Sequence, residues 1–354
     1  MKIAILGAGN GGQAMAGHFA QLGHNVSLYG RSLSKIKAVA SRKGVLLKGA
    51  INGFGAIQLI TDDIQLAIQG AELIMITTVA NVHKEIAEQL APYLENKQII
   101  VLNPGRTFGA LEVRNVFTQL CPEKKIYVAE TQSLLYACRA EDNGEVKIIG
   151  VKDKLPVAAI PSSDTTYVVS KLNSIHSSFL PAKNILETSL DNIGCIFHPS
   201  IVLFNAAKIE RGEVFYFYNN ITPLIAAFVE AVDKERLAIG KAIGVTLLSA
   251  NEWISYSYQG IKGNTLCEKM QNNPAYYKIY APKTLNSRLL TEDIPTGVLP
   301  FIELGRLLNI ETPLLNSIFL IISELLKTNF KKKGRTIVNL GLDKINFQEF
   351  LKSI

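Results

Sequence analysis

The segment Gly7–Gly12, with the sequence GAGNGG, constrains the fold of this chain more than any other stretch. It joins a short apolar run, Lys2–Leu6, to an apolar-periodic segment that ends at Leu22, and a second apolar run follows at Asn25–Tyr29. Strand, glycine turn, helix and strand in this order form the setting in which a G-x-G-x-x-G motif binds a dinucleotide. A glycine turn without a ligand is the alternative, and the βαβ pattern favours the dinucleotide site.

The residues of this turn have separate expected roles. Gly7 suits the tight turn, Gly9 leaves room for a pyrophosphate to approach the backbone, and Gly12 allows the helix to pack closely on the strand. N–H groups at the start of the helix face the bound anion. The loop residues predicted to bind the cofactor are Gly7, Gly9, Asn10, Gly11 and Gly12.

The length of 354 residues exceeds what one hydrophobic core usually supports, so two domains are expected. Strand-like apolar runs such as Leu73–Ile76 alternate with helical segments to about residue 185, which is typical of an α/β fold with a Rossmann-type doubly wound parallel sheet. A helix is predicted for residues 32–41 and a β-rich stretch for residues 45–60.

After Leu186 helical periodicity takes over, and Gly244 is predicted to end one of the helices. We therefore predict an NAD(P)-binding domain over residues 1–186 and a mainly α-helical substrate and catalytic domain over residues 187–354. Near the end, Lys331–Arg335 is predicted to be a solvated loop, followed by a short strand at Ile337–Leu340 and a last helix.

The net charge of +7 is concentrated in the first part of the chain. Residues 1–61 contain seven basic residues and no Asp or Glu, so the remaining 30 basic residues balance all 30 acidic ones. This excess raises the local potential for a polyanionic cofactor. A nucleic-acid reader more often has a basic stripe with interleaved aromatic residues along one face, so no nucleic-acid partner is expected.

Composition and cysteine spacing narrow the class further. Hydrophobic residues make up 48% and charged residues 19% of the chain, which suits a packed globular protein. The four cysteines are far apart and have no metal-ligand spacing, so no metal site is predicted and a reducing cytoplasm fits. No signal peptide is visible, and the most apolar segment, Leu314–Leu326, is too short and too polar to span a bilayer.

Cofactor preference can be argued from the end of the second strand. NAD-preferring sites place an Asp or Glu there for the ribose hydroxyls, whereas this chain has Gly30-Arg31-Ser32. Arg31 and Ser32 can meet a 2′-phosphate, so NADP(H) is favoured over NAD(H). In the alternative, Arg31 only stacks on the adenine and either cofactor is accepted.

His198 is the histidine, among five, best placed for acid–base chemistry. It precedes Pro199 at a predicted helix start, where the chain enters the second domain and where a cleft between domains would lie. From the residues alone, a structural N-cap histidine and a catalytic one are equally favoured.

A second polar segment, Arg288–Gly297, has the sequence RLLTEDIPTG. Arg288 can bind a substrate carboxylate through two hydrogen bonds, and Asp293 can accept the second N–H of a histidine and fix its tautomer. The alternative is a capped turn with a surface ion pair.

These motifs together resemble the opine dehydrogenase family of the octopine/nopaline type. The resemblance extends over nearly the whole chain and rests on the glycine loop, Asn103-Pro-Gly, Glu130–Arg139, Asn192 with His198-Pro199, and Arg288 with Asp293-Ile-Pro. It implies that His198 is the catalytic acid/base, that Asp293 pairs with it, that Arg288 holds the keto acid's carboxylate, and that Asn103 belongs to the cofactor site. Leu135 departs from the pattern, in which proline is expected before Tyr136.

The resemblance implies reductive condensation of an α-keto acid with the amino group of an amino acid or other amine, through an imine that hydride reduces. The glycine loop and His198 are then expected to face one cleft. A ketopantoate or hydroxy-acid type of NADP-dependent reductase is the alternative, and a catalytic lysine, Lys234, Lys241 or Lys262, would be expected for it. A non-catalytic dinucleotide-binding regulator would need neither His198 nor Asp293. Small molecules are the expected partners, with no membrane; the oligomeric state is open, a homodimer being one arrangement.

Overall fold

The computed structural model describes residues 1–32, 36–141, 143–258, 260–344, 346, 349–351 and 354. Contacts within the chain divide it into two compact units, residues 1–189 with 348–354, and residues 190–347. The predicted fold class is confirmed, since a mainly parallel sheet occupies the first unit and helices the second. The division falls at residue 189 rather than 186, and residues 348–354 group with the first unit.

The described strands all belong to the first unit. They are β1 (Lys2–Leu6), β2 (Asn25–Tyr29), β3 (Gly44–Gly49), β4 (Gly53–Ala56), β5 (Leu59–Thr61), β6 (Leu73–Ile76), β7 (Ile99–Leu102), β8 (Tyr127–Thr131), β9 (Tyr136–Ala140), β10 (Glu145–Val151), β11 (Leu155–Ile160) and β12 (Phe179–Pro181).

Eight strands form the main sheet, in the order β12-β11-β8-β7-β6-β1-β2-β5. Neighbouring strands run parallel except for β11 and β8. The four residues of β6 and the four of β7 are all buried, as expected for central strands covered on both faces. The carboxyl ends of β1, β2, β6 and β7 therefore lie at one edge, where ligands of open α/β sheets bind.

A smaller sheet with the strand order β4-β3-β10-β9 packs over helix α1 (Asn10–Gln21). A Cβ added at Gly17 of α1 would lie 3.0 Å from Val45 of β3, and one added at Gly55 of β4 would lie 2.0 Å from the Gly17 carbonyl oxygen. The glycines thus let the second sheet approach the helix backbone directly. A β-rich stretch was predicted for residues 45–60, but its pairing with β9 and β10 was not.

The helices of the first unit connect and cover the main sheet. After α1 they are α2 (Lys37–Arg42), α3 (Ile64–Ile68), α4 (His83–Leu90), α5 (Gly109–Leu120), α6 (Thr165–Asn173) and α7 (Ile185–Leu190). Part of the helix predicted for residues 32–41 lies outside the described residues.

The second unit is built from helices around a long central one. They are α8 (Gly194–Phe204), α9 (Ala206–Glu210), α10 (Pro223–Ile243), α11 (Ala250–Ser257), α12 (Leu266–Asn272), α13 (Arg288–Thr291), α14 (Leu299–Leu308) and α15 (Pro313–Leu325). Helix α10 begins with Pro223 at its first position after the Thr222 cap, and it ends, as predicted, at Gly244, which has the left-handed conformation. Its Arg236 is fully buried, and its Nε lies 2.7 Å from Asp233 Oδ1.

One prediction near the end of the second unit was wrong, and another holds for residues 331–333, which lie exposed in turns, but not for Arg335. Residues 337–340 form turns rather than a strand, and the N–H of Ile337 donates to Glu303 Oε2 over 3.1 Å. Arg335, expected in a solvated loop, is fully buried, and its N–H donates to the carbonyl oxygen of Pro295 over 3.0 Å. Hydrogen bonds to Glu303 and Pro295 thus hold this segment against its own unit. Among the described helices, none combines the length and apolar character that a membrane crossing requires.

Candidate active site

The glycine loop joins β1 to α1 at the carboxyl edge of the main sheet. Gly7 has φ +114°, and a Cβ added at Gly12 would lie 1.6 Å from the Gly7 carbonyl oxygen, so both positions require glycine for the turn itself. Thr77 Oγ1 fixes the turn by donating to the carbonyl oxygens of Leu6 and Gly7 over 3.1 and 2.9 Å. A Cβ added at Gly9 would meet no atom within 4 Å, so this glycine leaves open space beside the helix start.

The helix that follows presents an uncapped N-terminus. Gly9 occupies the cap position and provides no side-chain hydrogen bond, and the first turn of α1 contains no acidic residue. The positive end of the helix dipole therefore faces the open space at Gly9. Gly11 lies beside Leu134, whose Cδ2 would be 2.8 Å from an added Cβ.

Buried side-chain oxygens at the same edge lack hydrogen-bond partners within the described part of the chain. They are Gln13 Oε1, Thr78 Oγ1, Asn103 Oδ1 and Ser133 Oγ. Three of these residues follow the carboxyl ends of β6, β7 and β8, and the fourth lies in the first turn of α1. Because an unpaired buried polar atom is costly, this cluster fits a site completed by a polar ligand, as a dinucleotide would be.

Two of the predicted cofactor residues also have partners in the protein. Asn10 Oδ1 accepts from the N–H of Ala140 over 3.0 Å, which ties the helix start to β9. Asn103 is buried, and its Nδ2 donates to the carbonyl oxygen of Val101 over 2.9 Å, which leaves its Oδ1 for a ligand.

The structure brings carboxylates to the end of β2, where the local sequence has none. Tyr29 of β2 pairs with Thr61 of β5, and Asp62 and Asp63 follow directly. Burial raises the pKa of Tyr29, the positive charge of Arg31 lowers it, and Asp62 raises it, so both charges lie near the end of the strand. Asp62 and Asp63 are both exposed, and Asp63 caps α3 through the N–H groups of Gln65 and Leu66. Arg31 is exposed, and Ser32 follows it with partial burial.

His198 lies in the middle of α8, not at a helix start. The helix runs from Gly194 to Phe204 with Pro199 inside it, so the predicted helix start at His198-Pro199 is wrong and His198 is not an N-cap. Pro199 lacks the N–H that would bond the carbonyl of Cys195. Cys195, in the first turn of α8, contacts Asn192 just before the helix: its Sγ lies 3.0 Å from the Asn192 carbonyl oxygen.

Asp293 precedes a π-helical turn, Ile294–Val298, that packs against α8. A Cβ added at Gly297 would lie 2.2 Å from Cys195 Cβ and 3.1 Å from Asn192 Nδ2. Glycine at this position therefore allows the turn to pack directly on the Cys195 side chain of α8, one helical turn before His198. Inserted π turns are frequent at functional sites because they redirect side chains.

The two segments place His198 Nδ1 2.6 Å from Asp293 Oδ2. The Asp293 side chain is 2% exposed and that of His198 is 14% exposed. Because an ionised carboxylate only accepts hydrogen bonds, Nδ1 carries the proton of this bond, and Nε2 is the nitrogen that can exchange protons. Nε2 lies 3.0 Å from the hydroxyl oxygen of Tyr218.

Arg288 begins α13, five residues before Asp293. Its guanidinium is mostly exposed and lies 3.5 Å from Glu292 Oε2, a long contact that leaves the fork available to an anion. Glu292 is buried and positions one side of the guanidinium.

Several residues of the site were not predicted from the sequence. Thr78 and Ser133 could have been found by taking the polar residues that follow each buried strand, because these share the carboxyl edge, whereas Gln13 lies in the first turn of α1. Tyr218 and Gly297 have no comparable signal. All four cysteines are free thiols, and the described residues contain no group of three or more His, Cys, Asp or Glu that could hold a metal.

Two protein-family models match different parts of this chain. Residues 2–105 match the NAD-dependent glycerol-3-phosphate dehydrogenase N-terminus, and residues 181–326 match the α-helical domain of NAD/NADP octopine/nopaline dehydrogenase. An opine dehydrogenase of Arthrobacter sp. (strain 1C) is 38% identical over 342 residues, which cover 96% of this chain and 94% of that protein.

Solved structures share the fold at low sequence identity. Octopine dehydrogenase with NADH and L-arginine has a TM-score of 0.80 at 20% identity and 96% coverage of both chains. Yersinopine dehydrogenase with NADP⁺ bound has a TM-score of 0.73 at 14% identity, covering 92% of this chain and 90% of that one.

Fold, loop and relatives together define an NAD(P)-dependent oxidoreductase. The 38% identity over nearly the full length of both proteins is more specific than the fold. This chain belongs to the opine dehydrogenase family.

Proposed function

We propose that this enzyme condenses an α-keto acid with the amino group of an amino acid and reduces the resulting imine, with NADPH preferred as reductant. The observation that carries the proposal is the His198–Asp293 pair, with Nδ1 and Oδ2 2.6 Å apart. A buried carboxylate that fixes the tautomer leaves Nε2 as an acid/base toward substrate. An ordinary reductase of keto acids has no amine to deprotonate.

The proposed reaction requires proton transfers that this pair can perform. The amino acid arrives as an ammonium ion, and His198 Nε2 takes one proton so that the amine nitrogen can attack the keto carbon. The resulting imidazolium returns this proton to the oxygen, which leaves as water once a second proton from the nitrogen has also been transferred. Asp293 stabilises the imidazolium during the interval in which the ring is charged.

Arg288 is proposed to bind the carboxylate of the keto acid through its two parallel N–H groups. This contact orients the keto carbon and offsets the substrate's negative charge. The exposure of the guanidinium and its long distance to Glu292, 3.5 Å, support a role toward a ligand.

The nicotinamide cofactor, when bound, supplies the hydride that reduces the imine carbon. The residues proposed to hold it are Gly7, Gly9, Asn10, Gly11, Gly12, Gln13, Thr78, Asn103 and Ser133. The open space at Gly9 and the unpartnered oxygens of the last four support this assignment.

The preference for NADP(H) is proposed from Arg31 and Ser32, which can meet a 2′-phosphate. Asp62 opposes it, since its carboxylate acts on the same strand end as Arg31. We therefore infer a preference of limited size rather than strict exclusion of NAD(H).

The proposed reaction is tested by following NADPH and NADH oxidation with pyruvate, glyoxylate or 2-oxoglutarate, each crossed with a panel of amino acids. L-Arginine and pyruvate belong in the panel because solved octopine dehydrogenase structures contain them. We expect oxidation only when keto acid and amine are both present. Oxidation by a keto acid alone, at the same rate with and without amine, would instead assign the chain to the hydroxy-acid reductases.

A further inference from the structure

Both ring nitrogens of His198 are engaged by protein groups. Asp293 Oδ2 lies 2.6 Å from Nδ1, and the Tyr218 hydroxyl lies 3.0 Å from Nε2. The nitrogen assigned above to proton exchange is therefore in contact with a tyrosine. A substrate reaches Nε2 either by displacing this hydroxyl or by exchanging protons through it.

The backbone around Tyr218 is fixed by a neighbouring segment. The N–H of Phe217 donates to the carbonyl oxygen of Ile279 over 2.7 Å, and Tyr216 forms an isolated antiparallel bridge with Tyr280. The residue before Tyr218 is thus hydrogen-bonded like part of a short sheet. Movement of the tyrosine backbone would break these bonds.

The ring of Tyr218 is held on two sides. It stacks on Tyr276 with ring centroids 3.9 Å apart at an interplanar angle of 15°, and it meets Phe217 edge-on at 5.0 Å. Tyr218 is 8% exposed and Tyr276 is 6% exposed. Displacing the ring would open a void in this packing, so the hydroxyl is expected to stay at Nε2 during the reaction.

A hydroxyl at this position can reverse its hydrogen bond. When the ring is neutral, Nε2 is an acceptor and Tyr218 donates its O–H to it. When the ring is protonated, Nε2–H donates to the Tyr218 oxygen, and the phenolic hydrogen becomes available to a second acceptor. Burial raises the pKa of neighbouring Tyr276 and Tyr258, so the hydroxyls of these two residues are neutral at neutral pH.

We propose that Tyr218 is a catalytic residue that relays protons between His198 Nε2 and the substrate. In the dehydration step, Nε2–H passes its proton to the Tyr218 oxygen while the Tyr218 hydroxyl passes its own proton to the leaving oxygen. The imidazolium becomes neutral imidazole, the leaving group becomes water, and tyrosine is neutral before and after. The reverse transfer accepts a proton from the substrate ammonium. The proposal rests on the condensation proposed above.

Tyr218→Phe is the variant that tests the relay, because it keeps the ring stacked on Tyr276 and removes only the hydroxyl. We expect kcat to fall roughly 10²-fold, the scale of one proton-transfer group, with KM for both substrates and for the cofactor changed less than about twofold. Tyr258→Phe is the matched control, since it removes a hydroxyl from the same cluster without touching His198. It should keep kcat within about threefold of the unmodified enzyme.

A second measurement uses the unmodified enzyme. Single-turnover rates are measured in mixtures of H₂O and D₂O and plotted against the deuterium fraction. Because two protons move together, the plot should bow below the straight line that joins the rates in the two pure solvents. A straight line, which indicates one proton, overturns the relay, as does a Tyr218→Phe enzyme with normal kcat or with a raised KM alone. Absence of amine-dependent oxidation in the unmodified enzyme would instead overturn the proposed function, so the two failures are distinguishable.

Discussion

His198 and Asp293 are 95 positions apart in the chain, yet Nδ1 and Oδ2 are 2.6 Å apart. Helix α8 carries one partner, and the residue before the π-helical turn carries the other. The pair joins a nearly buried carboxylate to a ring that is partly exposed. An imidazole so oriented can transfer protons, whereas its carboxylate is shielded from water.

Removing either partner of this pair should slow turnover without preventing cofactor binding. We expect His198→Ala to lower kcat by roughly 10²–10⁴-fold, the usual scale for an acid/base group. Asp293→Asn should act in the same direction, and the double variant should be little worse than His198→Ala because the two groups work as one unit. Steady-state kinetics with both substrates measure this. Near-normal kcat in His198→Ala would rule out the mechanism even within this family.

Arg288→Met should affect the keto acid rather than the amine. Loss of a charge-assisted carboxylate contact costs about 2 kcal/mol, so we expect KM for the keto acid to rise roughly 30-fold. Arg306→Met is the matched control, since Arg306 forms a similarly exposed ion pair with Glu303 at 3.0 Å on α14. An equal rise in KM for both variants would show that Arg288 has no specific role.

Gly297→Ala should separate the segments that carry His198 and Asp293. The added Cβ would lie 2.2 Å from Cys195 Cβ, so the π-helical turn must move away from α8. Overpacking of this kind costs about 1–3 kcal/mol of stability, and we expect kcat to fall at least roughly 10-fold with an altered pH–rate profile.

Gly305→Ala provides the comparison for Gly297, because its Cβ would lie 2.8 Å from Thr312 Cγ2 rather than against α8. It should lower the thermal unfolding temperature without changing the pH–rate profile. If both glycine variants change kcat equally, the effect of Gly297 is general destabilisation.

Cofactor preference should respond in opposite directions to two charges near the end of β2. Arg31→Ala should narrow or reverse the preference for NADPH over NADH, because a 2′-phosphate loses its cation. Asp62→Asn should increase the preference by roughly fivefold, about 1 kcal/mol, because it removes a repelling carboxylate. KM ratios for the two cofactors measure both effects. Equal KM values for NADPH and NADH in the unmodified enzyme would contradict the proposed preference.

Stability should fall at mildly acidic pH because of His18. This residue of α1 is buried beside Tyr136, and burial, followed by the nearby His176, lowers its pKa from 6.5 to about 4. A lowered histidine pKa means that the unfolded chain binds the proton first, so stability is full above pH 6.5 and falls as the pH approaches 4.

Between pH 7.5 and pH 5, His18 should account for about 2 kcal/mol of lost unfolding free energy. Urea titrations at both pH values measure this loss, and His18→Gln, which keeps an acceptor for the Tyr136 hydroxyl, should lose correspondingly less. The same pH dependence in both proteins would show that other groups control acid sensitivity.

The sequence predicted the parts of this protein that depend on local pattern. Runs such as Leu73–Ile76 were predicted as buried strands because a strand that is covered on both faces has apolar residues at every position. The end of α10 was predicted because glycine adopts the left-handed conformation at Gly244 without strain. His198, Asp293 and Arg288 were candidates from the residues alone, and the family resemblance was needed to favour a catalytic role for them over a structural one.

Features that depend on long-range packing were not predictable. The pairing of β3 with β10 joins residues about one hundred positions apart, and strand propensity does not specify a partner. The apolar residues near Ile337 predicted a strand. Their backbone hydrogen bonds are instead made within turns and, for the N–H of Ile337, to the Glu303 carboxylate. Tyr218 lies in an irregular segment, where no periodicity indicates which side chain will reach His198.

The glycines of the first loop carry two different kinds of evolutionary constraint. Changes at Gly7 or Gly12 harm the folded chain whether or not a dinucleotide is present, since one has φ +114° and the other would place a Cβ 1.6 Å from a carbonyl oxygen. A side chain added at Gly9 would enter empty space, so it would affect ligand binding rather than folding. A lineage that kept this scaffold but lost its redox chemistry would therefore be free to vary Gly9 first. Gly7 and Gly12 would be retained because folding alone requires them.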